Sequence, residues 1–294
     1  MTATPLTPGA NDARPIFLAL PKRHDVSELA RAWFPEAAWV REPGRAPARQ
    51  AAVGARFRGI TPESRPLPGE LRLTWASHLE GPLDAEALAE HGVTPPGTRS
   101  TLVYRLVIEP GAPDDPRLLA WLRAAARRSG GAVLLGAETV EHPDPESAVN
   151  LAVYSPVPVS PEVALGLVRA VVPGARIVSA PEPDEGVAPY TLGLPTQFDG
   201  SVEVRFARAG ELPVSLLQLD WREYGPFGYR VVWVAADELG DEPDEQLLHI
   251  ARTRVRPVVA RVAYSMTRAA AGTIVDADGF VLSRDEIVSR AVAF

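Results

Sequence analysis

The chain has 294 residues, long enough for two domains, and its 46% apolar and 23% charged residues are typical of a folded globular protein. It has 30 prolines and no cysteine, which excludes disulfides, thiolate metal sites and cysteine nucleophiles. The net charge of −7 comes entirely from residues 146–294, and an acidic chain is a poor candidate for non-specific nucleic-acid binding.

The N-terminus has neither the basic segment nor the apolar segment of a secretory signal, and no apolar run reaches the length of a membrane span. We therefore expect a cytoplasmic protein. All but one of the 30 basic residues are arginine, the exception being Lys22, and alanine, glycine and proline are abundant. This composition is typical of a bacterial genome rich in G and C.

The first half of the chain begins with a predicted disordered tail, residues 1–13, and then alternates strand and helix patterns. A helix is predicted from apolar residues at helical spacing between Val26 and Phe34, and Pro35 ends it. An insertion at about 77–100 contains a short predicted helix, Asp84–His91. A second long helix begins after Asp115. The predicted strands are Ile16–Leu20, Ala38–Arg41, Leu71–Trp75, Tyr104–Ile108 and Ala132–Leu135.

The second half repeats this pattern. Its helices are predicted from Pro161 to before Pro173 and over about 244–271, where Pro257 should kink or split the helix. Leu217–Trp221 matches Leu71–Trp75 most closely, since both place two leucines and a tryptophan on one face of a strand. The predicted strands are Leu151–Tyr154, Ala175–Val178, Leu217–Trp221, Tyr229–Trp233 and Gly272–Val275.

Each half therefore has the order β-α-β-β-β-α-β, which predicts an α+β protein built as a tandem duplication of a ferredoxin-like sandwich. The halves are expected at 14–145 and 146–294. Leu102–Ile108 and Tyr229–Ala235 are apolar on both faces, so we expect both faces of each sheet to be covered. The expected cover is the sheet of the other half, packed face to face; the alternative is a second subunit.

Arg105 and Arg230 interrupt these apolar strands at equivalent positions. If their side chains are enclosed, each must form an ion pair or hold an anionic ligand, and Asp220 is a candidate partner. His249 lies beside the apolar stripe of the last long helix and is the candidate ligand residue for a haem. We predict a ligand-binding set of Arg105, Arg230, Asp220 and His249.

An acidic run precedes the same helix. Carboxylates at a helix N-terminus interact favourably with the helix dipole, and they could also face a basic protein partner. The candidate partner-binding residues are Asp241, Glu242, Asp244 and Glu245. The five histidines have no zinc-binding spacing, and no nucleophile elbow or phosphate loop is present. We thus predict no catalytic residue, metal or cofactor.

These features predict a non-catalytic module, monomeric or homodimeric, that binds a partner protein or a small ligand. The alternative is an enzyme, or a protein that binds haem or a small anion, with its site in a cleft between the two halves. A basic protein or a small anionic ligand is the expected partner.

Overall fold

The computed structural model describes residues 14–45, 66–94, 101–180, 187–196, 199–236 and 245–292. The chain forms two compact units, Met1–Pro145 and Glu146–Phe294. Each unit is α+β, with one large antiparallel sheet that does not close into a barrel over the described residues. None of the helices in these ranges is long and apolar enough to cross a membrane. The predicted tail at 1–13 lies outside the described residues.

The first unit has a seven-stranded sheet with strand order β2-β5-β6-β7-β1-β8-β9, and a separate two-stranded ribbon, β3-β4. The strands are β1 (Ile16–Pro21), β2 (Ala38–Arg41), β3 (Gly44–Arg45), β4 (Pro66–Leu67), β5 (Gly69–Thr74), β6 (Ser77–Gly81), β7 (Thr101–Ile108), β8 (Ala132–Leu135) and β9 (Thr139–Glu141). The helices are α1 (Val26–Arg31), α2 (Ala85–Glu90) and α3 (Pro116–Ser129).

The second unit has a six-stranded sheet with strand order β11-β12-β13-β14-β10-β15. The strands are β10 (Leu151–Ser155), β11 (Arg176–Ser179), β12 (Tyr190–Pro195), β13 (Ser201–Arg208), β14 (Phe227–Val234) and β15 (Thr273–Asp276). The helices are α4 (Pro161–Arg169), a 3-10 helix (Val214–Gln218), α5 (Trp221–Tyr224), α6 (Glu245–Ala270) and α7 (Arg284–Ala291).

The helices of the first unit begin and end where the sequence supplies caps. The side chain of Asp115 accepts a hydrogen bond from the backbone N–H of Arg117, and Pro116 opens α3. Gly130 ends α3 with a φ of 69°, in the left-handed region that favours glycine. Trp121 is fully buried, and its indole N–H donates to the Leu29 carbonyl at 2.9 Å, which joins α3 to α1.

The core of the second unit lies between one face of its sheet and helices α4, α6 and α7. Val255, Val259 and Met266 of α6 are buried there, and α6 runs through Pro257 as one helix, so the proline does not split it. Two buried tyrosine hydroxyls anchor the segment before α4. Tyr229 accepts from the backbone N–H of Val159 and donates to the Val157 carbonyl, while Tyr190 donates to the Val159 carbonyl.

A glycine precedes the last core strand in both units because the backbones approach closely there. A Cβ atom on Gly131 would lie 2.2 Å from the Ala19 carbonyl oxygen of β1. A Cβ atom on Gly272 would lie 2.3 Å from the Tyr154 carbonyl oxygen of β10. Real Cβ atoms do not approach a carbonyl so closely, so only glycine fits at either position.

The prediction of a strand at Leu217–Trp221 is wrong. This segment forms the end of the 3-10 helix and the start of α5. Pro213 fixes the backbone ahead of the 3-10 turn, and Asp220 caps α5 by accepting from the backbone N–H of Arg222. Leu216 is fully buried, whereas Leu217 and Trp221 are exposed, so the apolar alternation does not mark a buried face.

The predicted order has five strands in each unit, whereas each unit has six core strands, and one of the five predicted in the second unit is the false strand at Leu217–Trp221. In the first unit the missing strand is β6, within the predicted insertion, although the helix predicted at Asp84–His91 is confirmed as α2, capped by Asp84. In the second unit neither β12 nor β13 was predicted. β13 nevertheless has a clear period of two, with buried Val202, Val204 and Phe206.

Each sheet has a second face, on the side away from the main helices of its unit. We expected the opposite sheet or a second subunit to cover this face, but segments of the same unit cover part of it. In the first unit Leu88 of α2 packs with Phe17 and Val103. In the second unit Leu216 of the 3-10 helix packs with Tyr154 and Val275. Local cover therefore accounts for apolar residues on both faces of these central strands.

Replacing Gly272 by alanine should lower the free energy of unfolding by about 2 kcal/mol or more, since strand β15 must move away from β10. The matched control is Gly166→Ala in α4, where an added Cβ meets no atom within 4 Å. That change should stabilise the protein by about 0.5–1 kcal/mol, because alanine favours a helix interior. Urea unfolding of both variants measures the difference, and effects of the same sign would contradict the close approach.

Alkaline pH should destabilise the folded chain through its buried tyrosines. Burial raises the pKa of Tyr229 to about 12, and burial followed by the nearby Asp25 charge raises the pKa of Tyr104 to about 12. The unfolded chain, with a tyrosine pKa of about 10, releases these protons first. Stability should therefore fall between pH 10 and pH 12, by up to about 1.4 kcal/mol per pH unit for each tyrosine.

Urea unfolding free energies at pH 9, 10 and 11 test this dependence. Tyr229→Phe should show a shallower fall than the parent chain, because it has one buried tyrosine fewer. Equal slopes for the variant and the parent would show that Tyr229 does not retain its proton in the folded state.

Candidate functional site

Arg105 and Arg230 both lie on the sheet face opposite the main helices of their unit. Arg230 lies between Tyr229 and Val231, which are buried in the core on the α6 side, so strand alternation points Arg230 to the other face. Arg105 follows Val103 by two residues, and Val103 packs beneath α2 on the corresponding second face. The two arginines therefore occupy equivalent positions.

Arg105 is held by neighbours from two elements. Its Nη2 atom donates to Oε2 of Glu80 on β6 at 2.5 Å, and its Nη1 atom lies 3.0 Å from Nε2 of His91, the C-cap of α2. Because a guanidinium can only donate, Nε2 of His91 must accept, which places the imidazole proton on Nδ1. The His91 ring packs against Phe17 at 5.7 Å between centroids. Arg105 thus fastens α2 to the sheet.

Arg230 has the opposite environment. It is exposed, and no described residue forms an ion pair or hydrogen bond with it. Its cross-strand neighbour on β13 is Arg205, which occupies the place that Glu80 occupies beside Arg105. Residues directly opposite on antiparallel strands have Cα atoms about 4.5–5.5 Å apart, and like charges there are destabilising. Arg205 is also exposed, and Glu203, two residues earlier on β13, pairs with it at 2.8 Å.

The two arginines belong to a row of residues that crosses the second sheet. Register places Ala152 of β10 beside Arg230, and Thr191 of β12 beside Arg205. Small residues Ala207 and Gly228 form the next row on the same face, and Tyr154 flanks them. The positive charge of Arg230 acts on the buried Tyr154 hydroxyl, whose pKa is raised mainly by burial and partly lowered again by this charge. Gly228 is buried beside the Tyr154 ring, whereas Ala207 and both arginines are exposed, so the guanidinium groups are open to solvent.

The other predicted ligand residues do not join Arg230. Asp220 caps α5, and its carboxylate pairs with Arg222 at 3.3 Å instead of with Arg230. His249 is an exposed residue near the start of α6, and its carbonyl accepts from the Thr253 hydroxyl. Glu245 is the exposed first residue of α6. The other predicted partner-binding residues, Asp241, Glu242 and Asp244, lie outside the described residues.

Sequence reasoning missed Arg205, because β13 itself was not predicted. The signal was present: Val202, Val204 and Phe206 alternate, which places Arg205 on the opposite face from the core. The pairing of Arg205 with Arg230 had no such signal, since register across two strands is set by the folded sheet.

The described residues contain no group of three or more His, Asp or Glu side chains that could hold a metal ion. Comparisons of this chain with protein family models, with curated proteins and with solved structures found no match. The two arginine sites are therefore the features of the molecule that bear on its function.

The two arginines should differ sharply in their effect on stability. Arg105→Ala should lower the free energy of unfolding by about 1–2 kcal/mol, because it leaves Glu80 and His91 without their partner. Arg230→Ala should change it by less than about 0.5 kcal/mol, or raise it, because it removes a like-charge contact. Urea unfolding compares the variants. A larger loss for Arg230→Ala would show that Arg230 has a structural partner.

Proposed function

We propose that this protein is a non-catalytic binding module whose second unit holds a small anionic ligand between Arg230 and Arg205. The observation that carries the proposal is the cross-strand pair of exposed arginines on β13 and β14. Such a pair costs stability in the free protein, and a bound oxyanion would relieve this cost. A tandem arginine pair suits phosphate or carboxylate groups, because each guanidinium offers a planar fork of N–H donors.

The surroundings favour a small ligand and binding without chemistry. Arg230, Arg205 and the neighbouring Ala207 are all exposed, so an oxyanion can reach both guanidinium groups from solvent. Glu203 is the carboxylate beside the pair, and it forms an ion pair with Arg205. Its single negative charge balances one of the two arginine charges. We therefore assign to the pair recognition of a metabolite that carries a phosphate or carboxylate group, and no catalytic step.

We also propose that the two units are copies of one ferredoxin-like unit extended by a strand hairpin. The shared order of the six core strands supports the proposal, with β2, β5, β6, β7, β1 and β8 matching β11, β12, β13, β14, β10 and β15. Gly131 and Gly272 support it too. Gly131 lies against a backbone carbonyl of β1, and Gly272 lies against a backbone carbonyl of β10, the equivalent strand of the second unit. In the first copy the arginine fastens a helix, and in the second it is left for a ligand.

Isothermal titration with pyrophosphate, at low ionic strength, tests the binding proposal. Arg230→Ala and Arg205→Ala should each weaken binding by about ten-fold or more, because each removes a charge-assisted pair of hydrogen bonds. The matched control is Arg284→Ala at the start of α7, which removes the same charge from an exposed position away from β13 and β14. Equal affinities for Arg230→Ala and Arg284→Ala would reject the site.

A further inference from the structure

A groove on the helix side of the second unit lies between α4 and α6, away from the Arg230 face. Its volume is about 550 Å³, within the range of roughly 300–1,000 Å³ that is usual for small-molecule sites. Seven residues line it: Leu167, Val171, Arg261, Tyr264, Ser265, Arg268 and Ala269. We call this feature the α4–α6 groove.

One side of the α4–α6 groove is apolar. Leu167 lies near the end of α4 and Val171 follows one helical turn later, so both point to the same side. Both are half-buried and pack against the core of the second unit, as does Tyr264 from α6. The floor of the groove is thus continuous with the hydrophobic core.

The other side is cationic. Arg261 and Arg268 are seven residues apart on α6, which is two turns or about 10.5 Å along the axis, and Ser265 lies between them on the same face. Both arginines are exposed. Nε of Arg261 donates to the Pro257 carbonyl at 3.2 Å, which orients its guanidinium along the helix.

These two arginines differ from others on the same helix. Arg254 pairs with Asp199 at 3.6 Å and Arg256 pairs with Glu146 at 3.2 Å. Arg261 and Arg268 have no carboxylate partner among the described residues, and Glu245 is the sole acidic residue within α6. Arg268 lies in the last turn, where a positive charge interacts favourably with the helix dipole. Arg261 lies further from the end of the helix and does not have this interaction.

We propose that the α4–α6 groove binds a soluble amphiphile with one anionic oxygen-bearing head and a short apolar chain. The head lies between Arg261 and Arg268, with Ser265 as a further hydrogen-bond donor. The chain lies along Leu167 and Val171. This site is independent of the Arg230 pair: the two lie on opposite sides of one sheet and use different arginines.

Titration calorimetry with decanoate, below its micelle concentration, tests the proposal. The double variant Arg261→Ala with Arg268→Ala should weaken binding by about ten-fold or more, since it removes both charge-assisted contacts. Arg284→Ala, which lies outside both proposed sites, is the matched control and should bind decanoate as the parent chain does. All three arginines are exposed, and circular dichroism of each variant checks that it folds.

A chain-length series separates the apolar contribution without any mutation. Affinity should rise from butyrate to hexanoate to decanoate, by up to about four-fold for each CH₂ group that the groove buries. An affinity independent of chain length would overturn the proposal, as would a double variant that binds like Arg284→Ala.

Vesicles distinguish a free amphiphile from a membrane headgroup. Sedimentation with vesicles of phosphatidylglycerol, compared with phosphatidylcholine, should leave the protein in the supernatant. Binding to phosphatidylglycerol vesicles without binding to decanoate would show that the groove is a membrane-surface site, and would overturn the proposal.

Discussion

Each sheet in this protein has two faces, and the main helices of each unit cover only one of them. A sheet face left without cover must either become polar or be covered by another part of the chain. Both solutions occur here in both units. Part of the second face is covered locally, by α2 in the first unit and by the 3-10 helix in the second. The remainder carries charged residues, and the candidate site lies there.

The same strand position has different consequences in the two units because its neighbours differ. Arg105 has a carboxylate across the strand pair and a histidine from the covering helix, so its charge is compensated and it stabilises the fold. Arg230 has another arginine across the strand pair. Among the described residues, Glu203 is the carboxylate that compensates this pair, and it pairs with Arg205. One of the two positive charges is therefore not balanced by a described residue, although the unit as a whole is acidic.

The sequence predicted those elements whose signals are local. Caps and prolines located α1, α3 and α4, and the glycines before β8 and β15 marked the last core strands. The prediction was wrong where a short apolar alternation fits two structures. The alternation in Leu217–Trp221 is typical of a strand, but Pro213 and the Asp220 cap make the segment helical. The register was not predictable either. Arg205 pairs with Arg230 across β13 and β14, and β13 was itself missed, although Val202, Val204 and Phe206 alternate along it.

The most direct test of the central claim observes the arginines themselves. The Nε–Hε resonances of arginine side chains can be followed by NMR while pyrophosphate is added. We predict that the resonances of Arg230 and Arg205 shift together and saturate with one binding constant, while that of Arg105, already held by Glu80 and His91, stays in place. A response of Arg105 equal to that of Arg230, or no response from the β13–β14 pair, would contradict this account.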